Sequence, residues 1–113
     1  MQLPRSHLAK VERQKITHYL VNPFNRDGAS KARFFLEFGF STDNWQLLAW
    51  ALLAHGQTHL VRRMTHTSFG QRYEIDGELQ VPDGREPRVR TIWQTDDGQL
   101  APRLITAYPL LPL

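Results

Sequence analysis

The period of the hydrophobic positions changes once along the chain, near His59. Before it, apolar residues recur every three or four positions; after it, they alternate with polar ones, so helices are predicted first and strands second. Residues 1–12 read as an extended lead-in broken by Pro4, with Leu3, Leu8 and Val11 as candidates for burial. A first helix is predicted over 15–21, where Ile16, Tyr19 and Leu20 share a face and Asn22-Pro23 stops the chain. After the turn-rich loop FNRDG, a second helix is predicted over 31–38, capped by Ser30 and carrying Ala32, Phe34, Phe35 and Phe38 inward. Gly39 offers the left-handed residue that closes it. A third helix, from Ser41 or Thr42 to a Gly56 cap, is apolar nearly all round through Trp45, Leu47, Leu48, Ala49, Trp50, Leu52 and Leu53.

Strands are predicted over 60–67, 71–81, 88–95 and 103–108. In the second, Tyr73, Ile75, Leu79 and Val81 fall on one face; Arg72, Glu74, Asp76, Glu78 and Gln80 fall on the other. In the third, Val89, Thr91, Trp93 and Thr95 oppose Arg88, Arg90, Ile92 and Gln94. In the fourth, Leu104, Thr106 and Tyr108 alternate with Arg103, Ile105 and Ala107. Turns at Phe69-Gly70, Pro82-Asp83-Gly84 and Asp96-Asp97-Gly98 connect them. Helices followed by strands imply an α+β fold: three N-terminal helices (about 1–57) packed on a four-stranded antiparallel sheet (about 58–113), in one domain.

Composition narrows the chemistry more than it identifies it. A chain of 113 residues can bury one core without staples, and the lack of cysteine excludes disulfides, thiolate metal sites and a cysteine nucleophile. Lys+Arg 14 against Asp+Glu 11, with a pI of about 9.7, is a mild lean towards anionic partners. The start is polar, and no run approaches the roughly 18 to 20 apolar residues of a spanning helix, so a cytoplasmic protein with no membrane partner is expected. GxxxxGK, GxGxxG and GxSxG patterns are absent, which removes support for a phosphate loop, a dinucleotide site and a hydrolase elbow.

The candidate chemistry concentrates in the last two strands. Arg88, Arg90 and Arg103 have the planar donor fork that suits phosphate, or they pair with Glu74, Asp76 and Glu78 across the sheet. Thr106 and Tyr108 share a strand face and can place hydroxyls at a phosphate or stack a base; β-propensity alone also accounts for them. Lys31 lies at a helix start, where backbone N–H groups favour an anion, or is an ordinary surface lysine. His7, His18, His55, His59 and His66 show no metal-ligand spacing, and the one pair four apart straddles Gly56; neither metal nor cofactor is expected. Ribonuclease chemistry would need a base near the 2′-hydroxyl, for which His66, His18, Glu74 and Lys31 are all available.

Taken together, KITHYLVNP, GASKARFFLEFGF, ALLAHG, FGQRYEIDGELQVPDGREPRVRTIW and PRLITAYP resemble an uncharacterised family of small, stand-alone bacterial proteins known as a domain of unknown function. Members are commonly encoded beside another small protein, which implies a toxin and a small cognate antitoxin. Helices followed by four antiparallel strands that close on T-x-Y-P are also similar to the barnase, EndoU, colicin and RelE superfamily of ribonuclease toxins. That likeness implies a metal-independent endoribonuclease acting on RNA, with its site on Lys31, Arg90, Thr106 and Tyr108, supported by His66 and by Arg88 and Arg103 as substrate contacts. Two readings from other classes stay open: a non-catalytic binding or immunity-type module whose sheet pairs with a partner, and a structural subunit of a phage or secretion assembly.

Overall fold

The predicted alternation after His59 becomes, in the computed structural model, a four-stranded antiparallel sheet; the structure describes residues 1–110. Its strands are β1 (Val61–Thr67), β2 (Gly70–Glu78), β3 (Arg88–Asp96) and β4 (Arg103–Pro109), hydrogen-bonded in the order β1-β2-β3-β4. The helices precede it: α1 (Arg13–Lys15), running directly into a π-helical turn (Ile16–Leu20), then α2 (Ala29–Glu37) and α3 (Trp45–Thr58). The fold is α+β. Tyr73, Ile75, Val89, Trp93, Leu104 and Ala107 of the sheet form one core with Ile16, Leu20, Phe35, Leu48 and Leu52 of the helical part. No helix among the described residues is long and apolar enough to cross a membrane.

Each helix departs from its predicted limits for a local reason. The first starts at Arg13 and widens into a π turn, closed by Val21 N–H donating to Ile16 O at 3.0 Å; Ile16 and Leu20 stay buried while Tyr19 is left half-exposed. α2 begins two residues before Lys31, so Ser30 lies in its first turn and Gly28 is the cap. Glycine is needed at 28 because a Cβ there would stand 2.9 Å from the Tyr19 ring and carbonyl oxygen. At the other end Gly39 has φ +96, with Gly39 N–H bonded to Leu36 O and Phe40 N–H to Phe35 O, the paired bonds of a Schellman ending.

α3 starts late because Asn44 uses its side chain to tie a turn, accepting from Ser41 N–H at 2.6 Å and donating to Gly39 O at 2.9 Å. It also continues past Gly56 to Thr58, which corrects the expected helix end. Gly56 is there for packing: a Cβ would lie 2.6 Å from the buried Trp93 ring. In the lead-in, Leu3 is buried and Val11 packs at the margin of the core, but Leu8, in a short 3-10 turn (Ser6–Leu8), is exposed.

Within this helix His55 is carried into the core, with its ring 4.7 Å from that of His59. Its Nε2–H points at Gly77 O and Val89 O, both 3.1 Å away, and Nδ1 accepts from the Thr91 hydroxyl at 2.9 Å; Thr91 in turn accepts from Trp93 Nε1 at 2.8 Å. Burial lowers its pKa to about 4, so the folded state resists a proton that the unfolded chain accepts near 6.5. The contribution is full above pH 6.5 and lost as pH falls towards 4. Unfolding by urea is therefore expected to show about 2 kcal/mol less stability at pH 5 than at pH 7.5. A flat pH dependence over that range would contradict this account of His55.

The last strand holds an irregularity that alternation could not foresee. Trp93 pairs with Leu104 and Ile92 with Thr106, so Ile105 is an extra residue without a partner, a β-bulge. Leu104 and Ala107 both reach the core, while Thr106 and Tyr108 face the other way with Arg90. This corrects the expectation that Leu104 shares a face with Thr106 and Tyr108. The bulge re-aims half the strand.

Candidate functional site

On the sheet face away from α3, registers across β2, β3 and β4 line up Arg72 with Gln94 and Arg103, Glu74 with Ile92 and Thr106, and Asp76 with Arg90 and Tyr108. Ile92 and Gln94 are buried among these neighbours. Onto the β4 edge of this face comes Lys31 from the start of α2. Its Nζ donates to Tyr19 Oη at 2.7 Å and to Thr106 Oγ1 at 3.2 Å, and it lies 5.0 Å and 5.9 Å from the ring centroids of Tyr19 and Tyr108. Arg90, paired across the strands with Tyr108, lies 5.9 Å from the centroid of its ring. Lys31, Arg90, Thr106 and Tyr108 thus meet on one face, although Lys31 and Thr106 are 75 residues apart in sequence.

The charge balance differs between the two cations. Arg90 is clamped by Asp76 through Nε–Oδ1 at 2.7 Å and Nη2–Oδ2 at 3.0 Å, with Glu74 at 3.4 Å. The Arg90 hydrogen bond holds the Asp76 carboxyl below the usual carboxylate range, and that carboxylate raises the Arg90 guanidinium in return. Arg62 and Arg63 share the same two acids at 3.4 to 3.8 Å. Lys31 has no carboxylate within ion-pair distance among the described residues; only hydroxyl oxygens hold it. Among the described residues one ammonium hydrogen has no acceptor, and Tyr19 and Thr106, both accepting from Lys31, keep their own hydroxyl hydrogens to donate. A half-buried positive charge beside hydroxyl donors has the chemistry that suits an oxyanion.

Of the remaining candidates, Arg103 pairs with Asp96 at 2.7 Å and Arg88 with Glu78 at 3.3 Å, so the cross-sheet pairing foreseen as the alternative for these arginines is what forms, with Asp96 an unforeseen partner for Arg103. His66 does not join the others. It pairs with Gln71 on the exposed edge strand β1, on the same face as Tyr73, three strands from Thr106. His55 has both ring nitrogens engaged in the core. His18 is the histidine nearest in sequence to Tyr19; it lines a hollow of about 360 Å³ with Glu12, Lys15, Tyr19, Asn25 and Arg103. No three His, Asp or Glu side chains among the described residues are grouped to hold a metal ion.

A family model described as a domain of unknown function, DUF6883, matches residues 2–111. The chain belongs to this family. Neither a curated protein nor a solved structure matches the DUF6883 chain. Three residues of the face escape a reading of the sequence: Tyr19, which sits on the apolar stripe of its helix, and Arg72 and Gln94, whose partners depend on strand register. The one advance sign for Tyr19 is the polar end of its ring on a stripe otherwise made of Ile16 and Leu20.

Proposed function

We propose that the DUF6883 chain grips a phosphodiester on this face and cleaves RNA there without a metal ion, as the toxin of a toxin and antitoxin pair. The observation that carries the reading is the Lys31 ammonium, paired with no carboxylate among the described residues and set between the hydroxyls of Tyr19 and Thr106. These three donors suit the non-bridging oxygens of a phosphate and the added charge of its pentacoordinate transition state. Tyr108 extends the site towards Arg90, whose charge is partly offset by Asp76. The adjoining hollow supplies Glu12 and His18 as groups able to take the 2′-hydroxyl proton.

The test is total RNA from cells expressing the protein, examined for discrete cleavage and accompanied by growth arrest. Thr106→Val is expected to lower cleavage about 10²-fold, the usual effect of losing one transition-state donor, with an unchanged melting curve. Intact RNA in cells making the wild-type protein would reject the nuclease.

The arginine pairing favours a second reading, a protein-binding module. Arg62, Arg63 and Arg90 interleaved with Glu74 and Asp76 make a mixed-charge surface that could recognise a complementary partner. In that case Arg90→Ala would abolish partner capture, and RNA would stay whole with either form.

A further inference from the structure

We propose that Arg72, on the row next to Thr106, forms a second phosphate subsite, so that the face follows two consecutive linkages of one RNA strand; this rests on the phosphodiester reading of the Lys31 site. Arg72 Nη2 donates to Gln94 Oε1 at 2.8 Å, and Gln94 Nε2 passes the chain on to Asp96 at 2.6 Å. Asp96 is itself taken by Arg103, with Nε–Oδ2 at 2.7 Å and Nη2–Oδ1 at 3.3 Å. One carboxylate therefore serves two guanidinium groups, directly for Arg103 and only through a neutral amide for Arg72. No carboxylate lies within ion-pair distance of Arg72 among the described residues, and its buried Nε–H has no acceptor there.

An unmet buried donor on a guanidinium that no carboxylate among the described residues pairs is unfavourable in the free protein and is relieved by an oxyanion. Nε and the adjacent Nη form the fork that takes two phosphate oxygens at once, so a small swing of the side chain would satisfy both. Strand register sets the distance. Arg72 stands one inward–outward repeat along from the row of Thr106, about 7 Å at the rise of a β-strand, and two strands across from it, about 10 Å at the strand spacing. Its side chain leans over β3 to Gln94, which closes about one strand spacing and leaves roughly 9 Å, a gap of the order of one extended nucleotide. Lys31 with Thr106 would hold one linkage and Arg72 the next.

The experiment uses the full chain and a 2′-O-methyl RNA trinucleotide, which has two linkages and no 2′-hydroxyl to react, with binding followed by fluorescence anisotropy across a salt series. Arg72→Gln is expected to weaken binding about tenfold and to reduce the slope of log K against log salt by about 0.7, the signature of one lost single-strand phosphate contact. With one linkage replaced by a neutral methylphosphonate, wild type and Arg72→Gln should bind alike at one of the two positions. Arg72→Lys, which keeps the charge without the fork, should retain the slope and lose affinity several-fold; it also serves should the glutamine variant unfold. Equal affinity and slope for wild type and Arg72→Gln on the all-phosphate trinucleotide, with Lys31→Gln weakened, would overturn this subsite and leave the Lys31 reading standing. Failure of the wild-type protein to bind the trinucleotide overturns both.

Discussion

Lys31→Met is expected to lower RNA cleavage by at least about 10²-fold while leaving the melting temperature unchanged or higher. The two halves of that result have one cause. The ammonium is half-buried and held by two hydroxyl oxygens rather than by an acid, so the folded protein bears a partly buried positive charge that no carboxylate among the described residues offsets. Methionine keeps most of the stem that packs beside Tyr19 and Tyr108 and removes the charge. A residue kept for stability would behave in the opposite way: its loss would lower the melting temperature, and cleavage would fall only with the folded fraction. Thermal unfolding and a cleavage assay on the same preparation separate the two. Full activity in the methionine variant would remove Lys31 from the site.

The largest effect on stability is expected at Trp93, where alanine should cost about 3 to 5 kcal/mol in a urea titration. The indole is fully buried, lies across Gly56 of α3, and donates to Thr91, which completes the hydrogen bonding of His55. Removing it opens a cavity against a glycine that has no side chain to fill it. Trp93→Phe retains most of the packing and loses the hydrogen bond, so it should fall between wild type and alanine. A loss under about 1 kcal/mol for the alanine variant would mean that α3 collapses onto the sheet without the indole.

What the sequence revealed, and what it hid, follows from how local each feature is. Gly39 ending a helix, the alternation of β2 and β3, and the change of period near His59 are short-range properties, and each reappears in the structure. Gly56 misleads because a glycine late in an apolar helix looks the same whether it ends the helix or makes room for an indole 37 residues away; only the tertiary partner decides. The bulge at Ile105 was hidden for a related reason. Leu104 and Ala107 are three apart, and strict alternation has no means of placing both in the core. In the candidate site, Lys31, Arg90, Thr106 and Tyr108 could be chosen from residue type and family likeness, and the fold brings them to one face. Tyr19 and Arg72 could not, since their part depends on which hydroxyl or amide lies opposite; His66 has the chemistry of a base but faces the other way.

The contact between Lys31 and Thr106 also bears on when the protein becomes competent during its own synthesis. The ribosome delivers α2 early and β4 last among the elements, and domains take shape as their parts emerge. Until β4 has docked, Lys31 lacks the Thr106 hydroxyl, and Tyr108 has no neighbouring strand to bring it to Arg90. On the proposed reading, a nascent or truncated chain ending before residue 103 would lack the assembled site, because Thr106 and Tyr108 both lie in β4.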